Sequence, residues 1–493
     1  MFKNICLVLG FIASTLASVG QIKDYQYKFT VKGAKERDTI YLANYFGKQL
    51  YYNDTAYADK TGTFTFKKKR NIDPGQFAVV MPGSKYFEIL INEPAFYLKT
   101  DTADFVKNMV CEGSVENKIF YDYIDFLSKK RESMNPLNEA YDKAKDEKEK
   151  EEIQKKRIAV DAEVKAYQKQ LAENHKNLLV GQMVALSLDI DIPEAPKKAD
   201  GTMDSAWAYY YARDHYFDLA NLKNDALART PSFHSKLDYF ISKMVLQNPD
   251  TICKVTKTLT DKMNPTGDLF KYTVTHVTET YNKSNIMGMD AVFVCMADQY
   301  YLAGKAYWSD SSRVNKIRER ADALRPILLG KATHPLSLAD TTHQNWKRLY
   351  DLKADYTVLV FWDPDCGHCK KEMPKLAELY SKTNGKDFQV YAVSSDATDK
   401  WKKFIKDNNM TFVNVAVPDA VRNDQDKLVK LISAGTTDLK SLNYHETFDV
   451  YSTPKVFVLD KDKKIVAKQI GIEQLEEILG QIKELDQKRT AVK

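Results

Sequence analysis

The sequence predicts a multidomain chain: an N-terminal all-β sandwich-like domain, an all-α middle domain and a C-terminal α/β domain. Three observations carry this. At 493 residues the chain exceeds what one hydrophobic core supports, and about three domains are expected. The apolar periodicity changes twice, from alternation to helical spacing, and then to buried strands set between helices. The changes place the expected domains at 21–115, 116–330 and 331–493, behind a leader at 1–20.

Residues 1–20 have the form of a secretory leader. Lys3 gives a basic start, ICLVLGFIASTLA is a short apolar run, and SVG puts small residues before a cut after Gly20. A transmembrane anchor is the competing reading, but a span takes about 20 apolar residues. Cys6 lies inside the run rather than just after it, which speaks against a lipid-modified N-terminus. No later stretch is apolar enough to span. The expected location is outside the cytoplasm, in the periplasm or cell envelope, soluble once the leader is cut.

The β pattern opens with YQYKFTV, where Tyr25, Tyr27, Phe29 and Val31 alternate with polar residues. DTIYLANYF, QLYYNDTAY, GTFTFKK, GQFAVV, YFEILI and AFYLKT follow, divided by turn signals such as ADKTG and DPGQ. Short strands at this spacing predict a small sandwich or barrel. The tyrosines read as one packed face of a sheet, with a ligand platform as the alternative.

The helical pattern begins with the amphipathic NKIFYDYIDFLSKK. The run from EAYDKAKDEKEKEE to QLAENHKNLL carries interleaved charge and sparse apolar residues, so it predicts a solvated helix laced with i,i+4 pairs. It lacks the sustained heptads of a coiled coil. His215, His234 and His276 lie in this region without metal-ligand spacing and read as structural or surface residues.

The formal charge of +6 is small for the length, and both signs are mixed throughout. No one-sided basic stripe exists for nucleic acid to bind. Of the six cysteines, five follow the leader: Cys111, Cys253, Cys295, Cys366 and Cys369. An odd number is not a closed disulfide framework. Cys111, Cys253 and Cys295 read as buried apolar side chains. A Cys253–Cys295 bridge is the alternative that spacing does not decide.

From about Lys331, TVLVFW is a continuous apolar strand of the kind covered on both faces. Then come the cysteines, a helix with Met373, Leu376, Leu379 and Tyr380 on one side, and the strand FQVYAVSS. DKWKKFIKDN reads as a helix and TFVNVAV as an extended run. PKVFVLD and KIVAK form a hairpin about DKDK, and IEQLEEILGQIKEL is a closing helix. The order β-α-β-α-β-β-α sets the cysteines at the first strand-to-helix junction.

That junction suits redox chemistry. Backbone N–H groups at a helix N-terminus favour negative charge. A cysteine there has a lowered thiol pKa, and the thiolate is the reactive form. Cys366 stands at the helix start and Cys369 one turn on. The pair can cycle through a mixed disulfide and an internal one. A protonated His368 inside the motif stabilises the thiolate, while Asp363 and Asp365 oppose it. The balance is expected to favour His368, with the acids screened by solvent. A zinc site would have to recruit His343 or His445 from afar, because no second C-x-x-C is present. No metal and no cofactor is expected.

Residues from about Lys331 to the end resemble the exported, TlpA-like branch of thioredoxin-like disulfide oxidoreductases. TVLVFW, the CGHC motif, Pro374 five residues after Cys369, and YSTPKVFVLD carry the resemblance. It implies a thioredoxin-like fold and a cis Pro454 facing the cysteines. The backbone near Thr453 would pair with a bound substrate strand. CKKEMP resembles exported reductases with a Glu three residues after the second Cys, so Glu372 is the implied proton acceptor for the resolving thiol; a plain helix-surface Glu is the alternative. Val360 stands where cytoplasmic thioredoxins carry a buried Asp, which puts a proton relay there in doubt. Peroxide-reducing relatives carry P-x-x-x-T-x-x-C, and here those two positions hold Leu359 and Asp363. In layout the chain resembles proteins of Gram-negative bacteria that place a β domain and a helical domain, both without assigned chemistry, before such a domain.

The expected function is an exported thiol–disulfide oxidoreductase. Cys366 is the nucleophile, Cys369 the resolving thiol, His368 the tuning residue, and Trp362, Gly367 and Thr453 with Pro454 the docking surface. Its partners are protein thiols and disulfides and a second exported or membrane protein that resets the pair. A binding protein with an accessory redox domain is the rival, and a thiol peroxidase the third reading. CGHC resembles protein disulfide isomerase whereas CKKEMP resembles reductases, so the direction of electron flow stays open. The segment RNDQDKLVKLISAGTTDLKSL is longer than such domains usually have and is expected to be a short helix and loop beside the site.

Overall fold

The computed structural model describes Ile22 and residues 24–491, apart from 199 and 384. The expected leader at 1–20 lies outside the described residues. Within them, no helix is long and apolar enough to cross a membrane. The chain gathers into two compact units, Met1–Leu246 with Lys257–Thr273, and Gln247–Thr256 with Val274–Lys493.

In the first unit, the strands are β1 (Tyr25–Lys32), β2 (Thr39–Phe46), β3 (Gln49–Tyr57), β4 (Thr63–Lys68), β5 (Gly75–Val80), β6 (Tyr86–Ile91), β7 (Ala95–Asp101) and β8 (Val110–Glu112). They form two four-stranded sheets, ordered β4-β1-β7-β8 and β3-β2-β5-β6. Alternation decides which side chains fill the core: Tyr25, Tyr27, Phe29 and Val31 are buried. A second set, Tyr41, Tyr52, Tyr57 and Tyr86, is exposed instead.

The first helix of this unit, Val115–Lys143, starts where the Ser114 side chain accepts from the Asn117 N–H. The charged run does not form one helix. It breaks after Lys143, and a second helix, Glu147–Asn174, restarts at Asp146, whose side chain accepts from the Lys148 N–H. Only Ile153, Leu171 and Ala172 of that second helix are buried, so its charges face water. Lys155 and Glu151 pair along it at 3.2 Å.

In the second unit, one seven-stranded sheet runs β10-β9-β13-β12-β11-β14-β15. Its strands are β9 (Ser337–Ala339), β10 (Trp346–Arg348), β11 (Thr357–Trp362), β12 (Gln389–Ser394), β13 (Val413–Ala416), β14 (Lys455–Leu459) and β15 (Ile465–Lys468). The three strands β11, β12 and β13 pair in parallel, while β14 runs antiparallel to β11 and β15 to β14. All six residues of β11 are buried, as its unbroken apolar run requires. Val358, Val360 and Trp362 face Cys369, Met373 and Leu376 of the helix Gly367–Thr383. Leu359 and Phe361 face the other way, onto Tyr391, Val393, Tyr444 and Phe448.

That second face also packs against Phe293 and Leu324, from the helices Asp290–Met296 and Ser311–Leu324. The compact units therefore do not coincide with expected domains at 116–330 and 331–493: these helices group with the sheet whose apolar face they cover. Charges are buried in the same layer. Lys468 pairs with Asp290, and Asp449 pairs with both Arg320 and Lys455. Cys253 and Cys295, expected as separate buried thiols, are joined in a disulfide with Cα atoms 6.4 Å apart. The long segment folds as helices at Gln425–Ser433 and Leu439–Leu442, and Ser337 of β9 bonds to Thr436, Thr437 and Ser441 within it.

Candidate active site

Strand β11 ends at Trp362 and the helix begins at Gly367, so residues 363–366 make the junction. Asp363 shapes it. Its carbonyl accepts from the Cys366 N–H at 3.2 Å, and its carboxylate accepts from the Asp365 N–H at 2.7 Å and from the Ser395 hydroxyl at 2.5 Å. The Cys366 carbonyl accepts from the Lys370 N–H at 3.0 Å. Cys366 is therefore the N-cap residue, with the unpaired N–H groups of the first turn beside its side chain.

Both cysteines are free thiols, Cys366 half-buried and Cys369 buried. Their environments pull them apart. Burial works against the Cys366 thiolate, but the backbone N–H groups of Cys369 and His368, with hydrogen bonds from the Thr453 and Cys369 side chains, outweigh it, so this thiol lies below its ordinary range. Burial pushes the Cys369 thiol up to about 11, although the Asp363 N–H donates to its sulfur at 3.5 Å. The pair thus holds one accessible, easily ionised thiol and one buried, protonated one.

The Thr453–Pro454 peptide is cis. The Cys366 thiol donates to the Thr453 carbonyl oxygen at 3.3 Å, so this loop and the helix start meet at the Cys366 sulfur. Gly367 is exposed, and a Cβ there would have no atom within 4 Å.

Three expected residues stand differently from what their spacing suggested. The His368 side chain is exposed on the first helical turn, and the His368 group that favours the Cys366 thiolate is its backbone N–H. Of the two acids, Asp363 is half-buried and bonded within the junction. Asp365 is exposed, and a hydrogen bond from Lys400 at 2.6 Å holds its carboxyl below the usual range. Trp362 was expected in the docking surface, but it is fully buried, with its ring 5.1 Å from that of Phe404. It is the last inward residue of a strand covered on both faces, so it forms the floor of the site rather than its rim.

Glu372 lies one turn beyond Cys369. One of its oxygens accepts from Lys375 at 2.8 Å, while Oε2 is buried without a hydrogen-bond partner. Val360 and Leu359 are fully buried in β11. Sequence reasoning missed the Asp449 network behind the cis proline, for which no local motif exists. Among the described residues, no group of three or more His, Cys, Asp and Glu side chains is arranged to hold a metal.

Residues 329–468 match the AhpC/TSA family. A thiol-disulfide oxidoreductase ResA from Bacillus cereus is 33% identical over 138 residues, which are 28% of this chain and 67% of the relative. ResA from Bacillus anthracis matches at the same identity and coverage. A domain of a possible thiol-disulfide isomerase from Cytophaga hutchinsonii is 38% identical; it covers 33% of this chain and 99% of that one, with a TM-score of 0.27. The chain belongs, through the domain that carries these cysteines, to the AhpC/TSA family, with the thioredoxin-like thiol-disulfide oxidoreductases of the ResA kind.

Proposed function

We propose that the protein acts outside the cytoplasm and exchanges its Cys366–Cys369 disulfide with protein thiols through a mixed disulfide. The observation that carries this is the division between the two thiols, one lowered at a helix start and one raised by burial. In the reducing direction, the Cys366 thiolate attacks one sulfur of a substrate disulfide. A Cys366–substrate bond forms and the other substrate sulfur leaves as a thiolate. Cys369 then loses its proton and attacks the Cys366 sulfur. The internal disulfide closes, the substrate leaves with its second thiol, and two electrons have passed to it. The oxidising direction is the same path reversed.

Glu372 is the proton acceptor for Cys369 in this scheme. Its buried Oε2 has no hydrogen-bond partner, and a raised thiol needs a base before it can attack. Thr453 and Pro454 hold the substrate strand, and His368 acts through its backbone N–H. Export is supported by the form of residues 1–20 and by the Cys253–Cys295 disulfide, since such bonds persist in oxidising compartments. The partner that resets the pair is then another exported or membrane thiol protein. Leu359 and Asp363 occupy the positions that peroxide-reducing relatives fill with Pro and Thr, which disfavours peroxidase chemistry. A cleft of about 730 Å³ lined by Gln168, Gln182, Asp189 and His215 favours a second, ligand-binding reading for the first unit alone.

The test is the reduction of insulin by dithiothreitol. The wild-type protein should accelerate it and Cys366→Ser should not. Normal turnover in that variant would remove Cys366 from the chemistry.

A further inference from the structure

We propose that Tyr451 is the side chain that meets a substrate polypeptide beside the exchanging disulfide, and that the protein prefers partners with an apolar side chain within about three residues of their reactive cysteine. This rests on the redox reading above.

A single exposed tyrosine on a surface needs no explanation. Tyr451 differs in its place. It is 84% exposed, more than any other large apolar side chain among the described residues. It stands two residues before Thr453, whose carbonyl touches the Cys366 thiol. Two residues of chain span at most about 7 Å. A substrate strand pairing with the backbone at Thr453 would run about 5 Å from this loop. Side chains diagonal to one another across such a pair remain within reach of an aromatic ring.

The loop is also held at both ends. Before it, Asp449 is buried with φ of 53°. It takes Arg320 at 2.5 Å and also pairs with Lys455. The Val450 N–H donates to the His445 carbonyl at 2.7 Å, and Val450 itself is buried. After the loop, Lys455 opens β14 and sits opposite Phe361 of β11. Residues 451–453 are thus an arch between fixed supports, with the Tyr451 ring in solvent. An anchor held this way loses little freedom on binding, and tyrosine is a frequent anchor at protein interfaces. Trp362, fully buried, is unavailable for the role.

The test uses reduced full-length protein and two synthetic peptides, each closed by an internal disulfide. One has Leu and Phe beside its cysteines and the other has Gly and Ser. Alkylation and mass spectrometry follow formation of the Cys366–Cys369 disulfide. The wild type should react roughly 5- to 10-fold faster with the apolar peptide, as expected for one aromatic anchor. Tyr451→Ser should bring that ratio close to one, and Tyr451→Phe should keep it. An equal ratio in Tyr451→Ser and wild type, or no preference in the wild type, would overturn the proposal. Oxidised glutathione serves as a third oxidant: a wild type that fails to react even with it would overturn the redox reading itself.

Discussion

The Cys366 thiol and the Thr453 carbonyl oxygen lie 3.3 Å apart although 87 residues separate them in sequence. The fold brings together the start of one helix and the approach to one strand, both at the end of β11. That meeting sets an ionisable sulfur on one side and the backbone before a cis proline on the other.

The two thiols should titrate far apart. In the reduced protein, alkylation of Cys366 should reach half its maximal rate at a lower pH than that of an ordinary free cysteine. Cys369 should stay protonated and slow until the pH approaches about 11. Rates of iodoacetamide labelling read by peptide mass spectrometry check both. Equal titration of the two would contradict the asymmetry.

Trp362→Ala should cost stability. The side chain is fully buried on the core face of β11, and removing such a ring costs about 3–5 kcal/mol. Trp362→Phe should cost less. If Trp362 is floor rather than rim, Trp362→Phe should also react with protein disulfides at close to the wild-type rate. Denaturant unfolding and the insulin assay measure the two effects separately.

Asp449→Asn tests the support behind the cis proline. Asparagine tolerates the left-handed backbone found at this position, so the variant removes charge with little change of conformation. Lys455 and Arg320 lose their shared partner. The expected cost is roughly 2–3 kcal/mol, less than for a fully enclosed pair because Arg320 is 36% exposed. Chemical denaturation of the variant measures it.

The Cys253–Cys295 disulfide should be structural. It closes a loop of 42 residues in sequence separation, and the chain-entropy argument puts its contribution at about 4 kcal/mol. The double variant Cys253→Ala with Cys295→Ala should unfold at lower denaturant, yet keep its Cys366 reactivity. Loss of that reactivity in the folded variant would mean that the two sulfur pairs are linked.

Legibility in the sequence followed the range of the interactions. The buried run of β11, the cysteine at the helix start and the Thr-Pro before β14 are local patterns, so each was readable. The strands β9 and β10 are three residues each and carry no periodic signal. The break at Asp146 hides within a charged run, because the capping residue is one acid among many. His368 was credited with its imidazole, whereas its side chain is exposed and its backbone N–H is the group set against the Cys366 sulfur, since spacing cannot say which way a side chain points. Trp362 looked like rim because it precedes the motif, but strand parity sends it inward. The Asp449 pairs and the Cys253–Cys295 bond join residues far apart in the chain, and nothing local announces them.

The most direct test of the central claim is the equilibrium of the Cys366–Cys369 pair in glutathione redox buffers, read as the fraction oxidised. The account predicts a reversible two-electron transition that disappears in Cys366→Ser. A midpoint near about −180 mV would match the isomerase range and one near about −270 mV the thioredoxin range, and either accords with the account. A pair that forms no reversible disulfide across that range would contradict it.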